Sequence, residues 1–190
     1  MNQGYASSSG DIIAFLNSDD YYSANDVLVN VTQTFMSSDC DFVYGDIKMA
    51  GLGGRVMREW RTGEIDEKGL VGKQIPHPGM FIKREILNRL ALPFDPSYTI
   101  SADLKQQLLL INKLGCKGKY LNHPLVIMEN GGRSTSSLSS YFQGWKESLR
   151  AYNEVFGNGG LLFVVRKVFS KLSGVRVRKI FAEFHNKLNP

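Results

Sequence analysis

Gly10-Asp11-Ile12-Ile13-Ala14-Phe15-Leu16-Asn17-Ser18-Asp19-Asp20 is the stretch that decides the fold. A mostly apolar run of strand length, Asp11 to Leu16, is bounded by glycine before it and by an Asn-Ser-Asp-Asp turn after it. That pattern predicts a strand buried on both faces, as in an α/β sheet. Acids just beyond such a strand lie where open α/β sheets bind their ligands. Two adjacent carboxylates repel each other, and a divalent cation relieves the repulsion. Mg²⁺ or Mn²⁺ prefers oxygen ligands and is held by one or two carboxylates together with substrate phosphates. Taken alone, two acids after a strand are more often a helix N-cap and turn.

Working outward, the elements alternate. Residues Asn2–Ser9 are short, polar and helix-tolerant, stopping at Gly10. After the acidic turn, Ser23 or Asn25 is placed to cap a helix running to about Met36, with Val27, Leu28, Val31 and Phe35 at helical spacing. Asp41–Asp46 reads as a short strand leaving an acid at its end. Residues Ile47–Ile75 are punctuated by Gly51, Gly53, Gly54, Gly63, Gly69 and Gly72 and read as an irregular insert with a hairpin, Arg55–Trp60 being its strand. Met80–Ile82 is a strand and Arg84–Leu90 a short helix. Ser101–Leu114 is a stronger helix, with Ser101 as its N-cap, closed by Gly115. Lys119–Leu121 and Leu125–Met128 read as two strands split by Asn122-His123-Pro124. Leu138–Phe156 is helical, Gly157–Gly160 a linker, and a basic segment follows. The order predicts an α/β domain with a mixed sheet flanked by helices.

Bulk properties bound the function. The 190 residues suffice for one domain with a core, and 43% apolar and 22% charged residues are ordinary for a globular chain. No apolar run approaches the length of a spanning helix. Cys40 and Cys116 have no partner pattern and read as buried, inert thiols. His77, His123 and His185 lack zinc-site spacing. The net charge of +5 is local: from Leu161 onward seven bases face the single acid Glu183, a net +6, which leaves residues 1–160 at −1. A basic face on the body is therefore not expected, and neither is a nucleic-acid partner. The apolar positions Val164, Val168, Leu172 and Val175 and the bases between them make 161–190 a basic amphipathic helical tail, broken near Ser173 and Gly174. Such a tail either packs on the domain as a solvated helix or lies on an anionic membrane surface.

A second acid, Asp103, opens the Ser101–Leu114 helix. It reads either as stabilisation of a helix start or as a general base for an acceptor hydroxyl. The combined order of motifs resembles family-2 glycosyltransferases of the GT-A fold. The carrying residues are Asn2-x-Gly4, Ala6, Gly10 to Asp20, then His77-Pro78-Gly79-Met80-Phe81-Ile82-Lys83-Arg84, Phe94-Asp95 and Ile100-Ser101-Ala102-Asp103. The resemblance spans residues 1 to about 135. It implies an inverting transfer of a sugar from a nucleotide-diphosphate donor to a glycan or lipid-linked acceptor, for bacterial surface polysaccharide synthesis. It implies Asp20 as the metal ligand for Mg²⁺ or Mn²⁺, with Asp19, Asn2 and Gly4 at the nucleotide-sugar. His77 falls on the acceptor side, and Asp103 is the catalytic base. Asn17 stands where some relatives carry a third acid, and Ala102 where many carry Glu or Thr, so neither receives a role.

The resemblance also implies an absence. The family's first strand–helix units, which hold the nucleotide base, have no counterpart in these residues, so the first strand is expected to lack a sheet neighbour. The chain alone is then expected to be inactive or poorly folded. The division expected is 1–135 as the later part of a GT-A domain, 136–160 as helix and Gly-rich linker, and 161–190 as the tail. The location expected is cytoplasmic, peripheral on the inner face of the cell membrane. Two other readings stand beside the enzyme: a non-catalytic carbohydrate-binding remnant, and a structural or membrane-associated module.

Overall fold

Phe42-Val43-Tyr44 buries every side chain because the strand they form has helices over both of its faces. The structure, a computed structural model, describes residues 1–51, 55–129 and 138–170. Within them the elements run α1 (Asn2–Ser7), β1 (Ile12–Ala14), β2 (Tyr21–Tyr22), α2 (Val27–Ser37), β3 (Phe42–Ala50), β4 (Val56–Trp60), β5 (Met80–Lys83), α3 (Arg84–Leu87), α4 (Ala102–Gln107), β6 (Gly118–Glu129) and α5 (Leu138–Phe156). A single 3-10 turn, His77–Gly79, precedes β5, and a π-helical segment, Leu108–Lys113, continues α4. A further helix, α6, covers residues 160–170. The expected boundary at 135, Gly53 and Gly54 of the insert, and the tail from 171 with its break at Ser173 and Gly174 lie outside the described residues.

The six strands form one mixed sheet in the order β1-β5-β3-β6-β2, with β4 also paired to β3. Strand β3 runs parallel to β6 and antiparallel to β4 and β5. Successive side chains leave opposite faces of a strand, so the sheet feeds two cores. Phe42, Tyr44, Met80 and Ile82 point to one, which α3, α4, the π segment and α5 cover. Val43, Ile47 and Phe81 point to the other, covered by Val27 and Val31 of α2. The expected α/β architecture, a mixed sheet flanked by helices, is what the residues build.

Several local expectations are corrected. Strand β1 is shorter than Asp11–Leu16 and is not buried on both faces: only Ile13 is buried, because β5 is its one neighbour and the other edge is unpaired among the described residues. The two strands split at Asn122-His123-Pro124 are one strand, β6. The register slips across Gly45–Ile47, where β3 faces Leu121, Pro124 and Val126 in turn, so the ladder absorbs Pro124 as a bulge. Strand β3 does not end at Asp46 but continues to Ala50, well into the expected insert, held there by β4. Neither Ser23 nor Asn25 caps α2; its N-cap is Asp26, while the Ser23 hydroxyl donates to the Pro124 carbonyl at 2.5 Å. Helix α3 stops at Leu87 rather than Leu90. The glycine linker contributes Gly160 to α6, where a Cβ would lie 2.5 Å from the Leu149 carbonyl oxygen. Glycine is what lets α6 touch α5. Both thiols, Cys40 and Cys116, are free and buried, and burial pushes the Cys116 thiol up.

Candidate functional site

The acidic turn that follows β1 closes with the Asp20 N–H on the Asn17 carbonyl at 3.2 Å. The same two residues bond again through their side chains, Asn17 Nδ2 donating to Asp20 Oδ2 at 2.7 Å. Asp19, in the middle of the turn, is exposed, whereas Asp20 is only 7% exposed. Burial raises the Asp20 carboxyl above the ordinary carboxylate range, and the Asp19 charge adds to it. The Asn17 bond, a backbone N–H from Glu129 and the nearby His77 pull the other way. One oxygen of this buried carboxylate, Oδ1, has no hydrogen-bond partner. A buried polar atom left unpaired calls for an explanation, and a bound cation supplies one.

His77 has the same property: its Nδ1 is buried and unpartnered. Its position is set by the 3-10 turn, which lies across the middle of β3. A Cβ added at Gly79 would meet the Gly45 carbonyl oxygen at 3.1 Å. The segment leading into that turn is gripped from the helical layer. Gln107, fully buried, accepts the Ile75 N–H at 3.0 Å and donates to the Ile75 carbonyl at 2.8 Å. One amide thus holds a peptide unit as a neighbouring strand would.

Asp103 joins the same segment. Its Oδ2 accepts from Gln74 Nε2 at 2.8 Å, three residues before His77, and its Oδ1 accepts the Leu104 N–H at 2.8 Å. The start of its helix is held by an acid the sequence reading passed over. Glu147 of α5, buried, accepts the backbone N–H groups of Thr99, Ile100 and Ser101 at 3.1, 2.8 and 2.8 Å, and Gln143 Nε2 at 3.0 Å. Burial works to raise the Glu147 carboxyl, yet the bonds from Gln143, Ser101, Ile100 and Thr99 outweigh it and hold it below its usual value. Ser101 is the N-cap residue as expected but does not cap with its side chain; its Oγ donates to the Gly144 carbonyl at 3.2 Å.

Asp46 is the second acid of consequence beyond those expected. It lies inside β3, 2% exposed, and its Oδ1 accepts both the Thr62 N–H and the Tyr120 hydroxyl at 2.8 Å. Burial and this bond push the Tyr120 phenol up to about 12. Asp46 therefore ties residues 62–65 to the sheet, helped by Tyr44, whose hydroxyl accepts the Ile65 N–H at 2.8 Å. A Gly-Asp pair within an otherwise apolar strand was the available signal.

The fold thus brings His77 within electrostatic range of Asp20, while Asp103 holds, through Gln74, the segment that leads to His77. Asn2 and Gly4 are elsewhere in this network. Both sides of the Asn2 amide bond the Phe94 peptide, Nδ2 to its carbonyl at 2.7 Å and Oδ1 from its N–H at 3.0 Å. Gly4 is exposed, with open space where a Cβ would stand. A cleft of about 470 Å³ lines the opposite end of β1, between Asp11, Phe35, Lys83 and Asn88, and shares no residue with the acidic site. No cluster of three or more His, Cys, Asp or Glu side chains suited to a metal exists among the described residues. A cation here would draw a carboxylate oxygen from Asp20 and its remaining ligands from substrate and water, the usual habit of Mg²⁺.

No protein-family model matches the sequence, and no curated protein matches it. Solved structures do. S. aureus TarS 1–349 superposes with a TM-score of 0.58 at 13% identity, over 88% of this chain and 48% of that one. The same TarS fragment in complex with UDP-GlcNAc gives 0.56 at 13%, over 88% and 50%. A longer TarS structure gives 0.56 at 14%, over 82% and 27%. The chain spans half or less of the TarS chains it resembles. The likeness establishes the fold: a glycosyltransferase-like mixed sheet flanked by helices.

Proposed function

We propose that this chain is the acid-bearing half of a nucleotide-sugar-dependent glycosyltransferase of the family-2, GT-A type. The observation that carries the reading is the buried Asp20 carboxylate at the carboxyl end of β1, its Oδ1 unpartnered, within electrostatic range of His77. The support from likeness is that TarS, which shares the fold, has been solved with UDP-GlcNAc and with UDP. When bound, Mg²⁺ or Mn²⁺ held by Asp20 supplies positive charge where a departing diphosphate becomes more negative.

The chain's own residues do the rest. Asp19, exposed at the turn, faces the donor and hydrogen-bonds it. Asp103 accepts the proton of an acceptor hydroxyl as that oxygen attacks the anomeric carbon, from the side opposite the leaving diphosphate, so the configuration inverts. Gln74 and the helix start anchored by Glu147 fix the direction of the Asp103 carboxylate. The acceptor is a glycan or lipid-linked hydroxyl of the kind used in bacterial surface polysaccharide synthesis, approached from the His77 side. Asn2 and Gly4 act on the donor side only if the Asn2 amide leaves Phe94.

Calorimetric titration with UDP and UDP-GlcNAc, with and without Mn²⁺, tests the site. Binding is expected to require Mn²⁺ and to vanish in Asp20→Ala. In a transfer assay Asp103→Asn is expected to lower kcat by about 10²–10⁴-fold while UDP affinity stays within about twofold, the signature of a lost general base. Glycan binding that needs neither metal nor Asp20 would instead identify a carbohydrate-binding protein and end the enzyme reading.

A further inference from the structure

Helix α6 has an apolar outward face. Its inward face is fixed on α5: Gly160 abuts Leu149, the Phe163 ring, 4% exposed, stacks on Tyr152 at 4.8 Å, and Lys167 Nζ donates to Ser148 Oγ at 3.1 Å. Helical spacing then turns Leu161, Val165 and Phe169 away from the body, with Leu162 beside them. These four are 69%, 42%, 67% and 54% exposed in that order. A surface helix ordinarily turns polar residues to water, yet none of the four is polar. The patch extends onto α5. Trp145 sits three and seven residues before Ser148 and Tyr152, hence on the side that receives α6. It is exposed there together with Tyr141 and Phe142, whose ring meets Trp145 edge-on at 5.4 Å.

The charge of this part of the sequence decides what covers the patch. Arg166 and Lys167 lie within α6, and Lys171, Arg176, Arg178, Lys179 and Lys187 follow in sequence against Glu183 alone. A second copy docking through the same face would set like charges together. An anionic bilayer takes both features at once, apolar side chains among the upper acyl chains and bases on lipid phosphates. Tryptophan and tyrosine are the aromatic residues that favour that depth. None of the described helices is long and apolar enough to cross a membrane. We propose that α6 and the aromatic end of α5 lie in the plane of an anionic membrane surface, with Leu161, Leu162, Val165 and Phe169 inserted.

The inference is independent of the transfer reaction, since it concerns a surface that shares no residue with Asp20, His77 or Asp103. The full chain is mixed with vesicles of phosphatidylcholine containing about 30 mol% phosphatidylglycerol, and with phosphatidylcholine alone, and co-sedimentation is measured. Binding is expected on the anionic vesicles, weaker by about tenfold or more on the neutral ones and falling as salt rises. Val165→Asp with Phe169→Asp is expected to reduce it by a further ten- to hundredfold. Both positions are exposed, so an unchanged thermal melt is expected; should the double variant fail to fold, Leu161→Ser with Val165→Ser gives the same reading. Equal binding by wild type and variants, or no binding to either vesicle, overturns the proposal. So does self-association in sedimentation velocity that Val165→Asp abolishes while vesicle binding is absent, because the patch then belongs to a second copy.

Discussion

Asp20 has one oxygen bonded to Asn17 and the other buried with nothing to bond, and its proton affinity is raised mainly by that burial. A carboxyl that holds its proton more tightly when folded than when unfolded favours folding at acid pH. That contribution is lost as pH climbs through the raised value. Ionising Asp20 in the folded chain is therefore a stability cost, the sort that functional residues carry. Asp20→Asn is expected to melt at or above the wild-type temperature at pH 7, with the gap closing toward pH 4. Millimolar Mn²⁺ is expected to raise the wild-type melting temperature and leave the variant's unchanged. A variant less stable than wild type at pH 7, and equally responsive to Mn²⁺, would refute the assignment. Asp20 was legible in the sequence because an apolar run ends on it. His77 was legible only as a motif residue, and its nearness to Asp20 comes from the 3-10 turn lying across β3. Asp46 was read as the end of a strand, because pairing with β4, which carries β3 four residues further, leaves no mark within Asp41–Asp46 itself.

At the scale of elements, α5 is less a surface helix than the mount for α4. Glu147 looks in sequence like any acid on an amphipathic helix, and only the tertiary contact shows three successive peptide N–H groups ending on it. Its lowered proton affinity contributes stability above the ordinary carboxylate range, and that is lost as pH falls through the lowered value. Glu147→Ala strands those donors and is expected to cost about 3 kcal/mol in urea unfolding, and Glu147→Gln about half as much. The Ala variant should lose its excess pH dependence below about pH 4.5. A cost under about 0.5 kcal/mol for Glu147→Ala would show that water satisfies the loop instead. The helices were readable from periodicity. The ends of α5 and of the Ser101–Leu114 helix were readable as well, but not the change to π geometry at Leu108, which leaves the pattern unaltered, nor the bulge by which β6 absorbs Pro124.

Across the whole molecule one strand carries the sheet. β3 pairs with β4 and β5 as well as β6, while β1 touches only β5 and offers its other edge unpaired among the described residues. An open apolar edge favours intermolecular pairing, and β1, expected to be buried on both faces, is an edge strand among the described residues. The parallel β3–β6 ladder joins Phe42 to Gly118 and Ala50 to Glu129. Closing loops of that length is slow, so refolding in stopped-flow is expected on the millisecond-to-second scale, with a slower folding limb in Gly45→Val, whose side chain would collide with Leu125. Microsecond refolding unaffected by that substitution would contradict it. The same ladder sets an order of events for a chain emerging from the ribosome. Tyr21, next to Asp20, pairs with Ile127 of β6, close to the last rung of that ladder. More than a hundred residues separate the two in sequence, so the acidic site becomes structured only after β6 has been made and has joined the sheet.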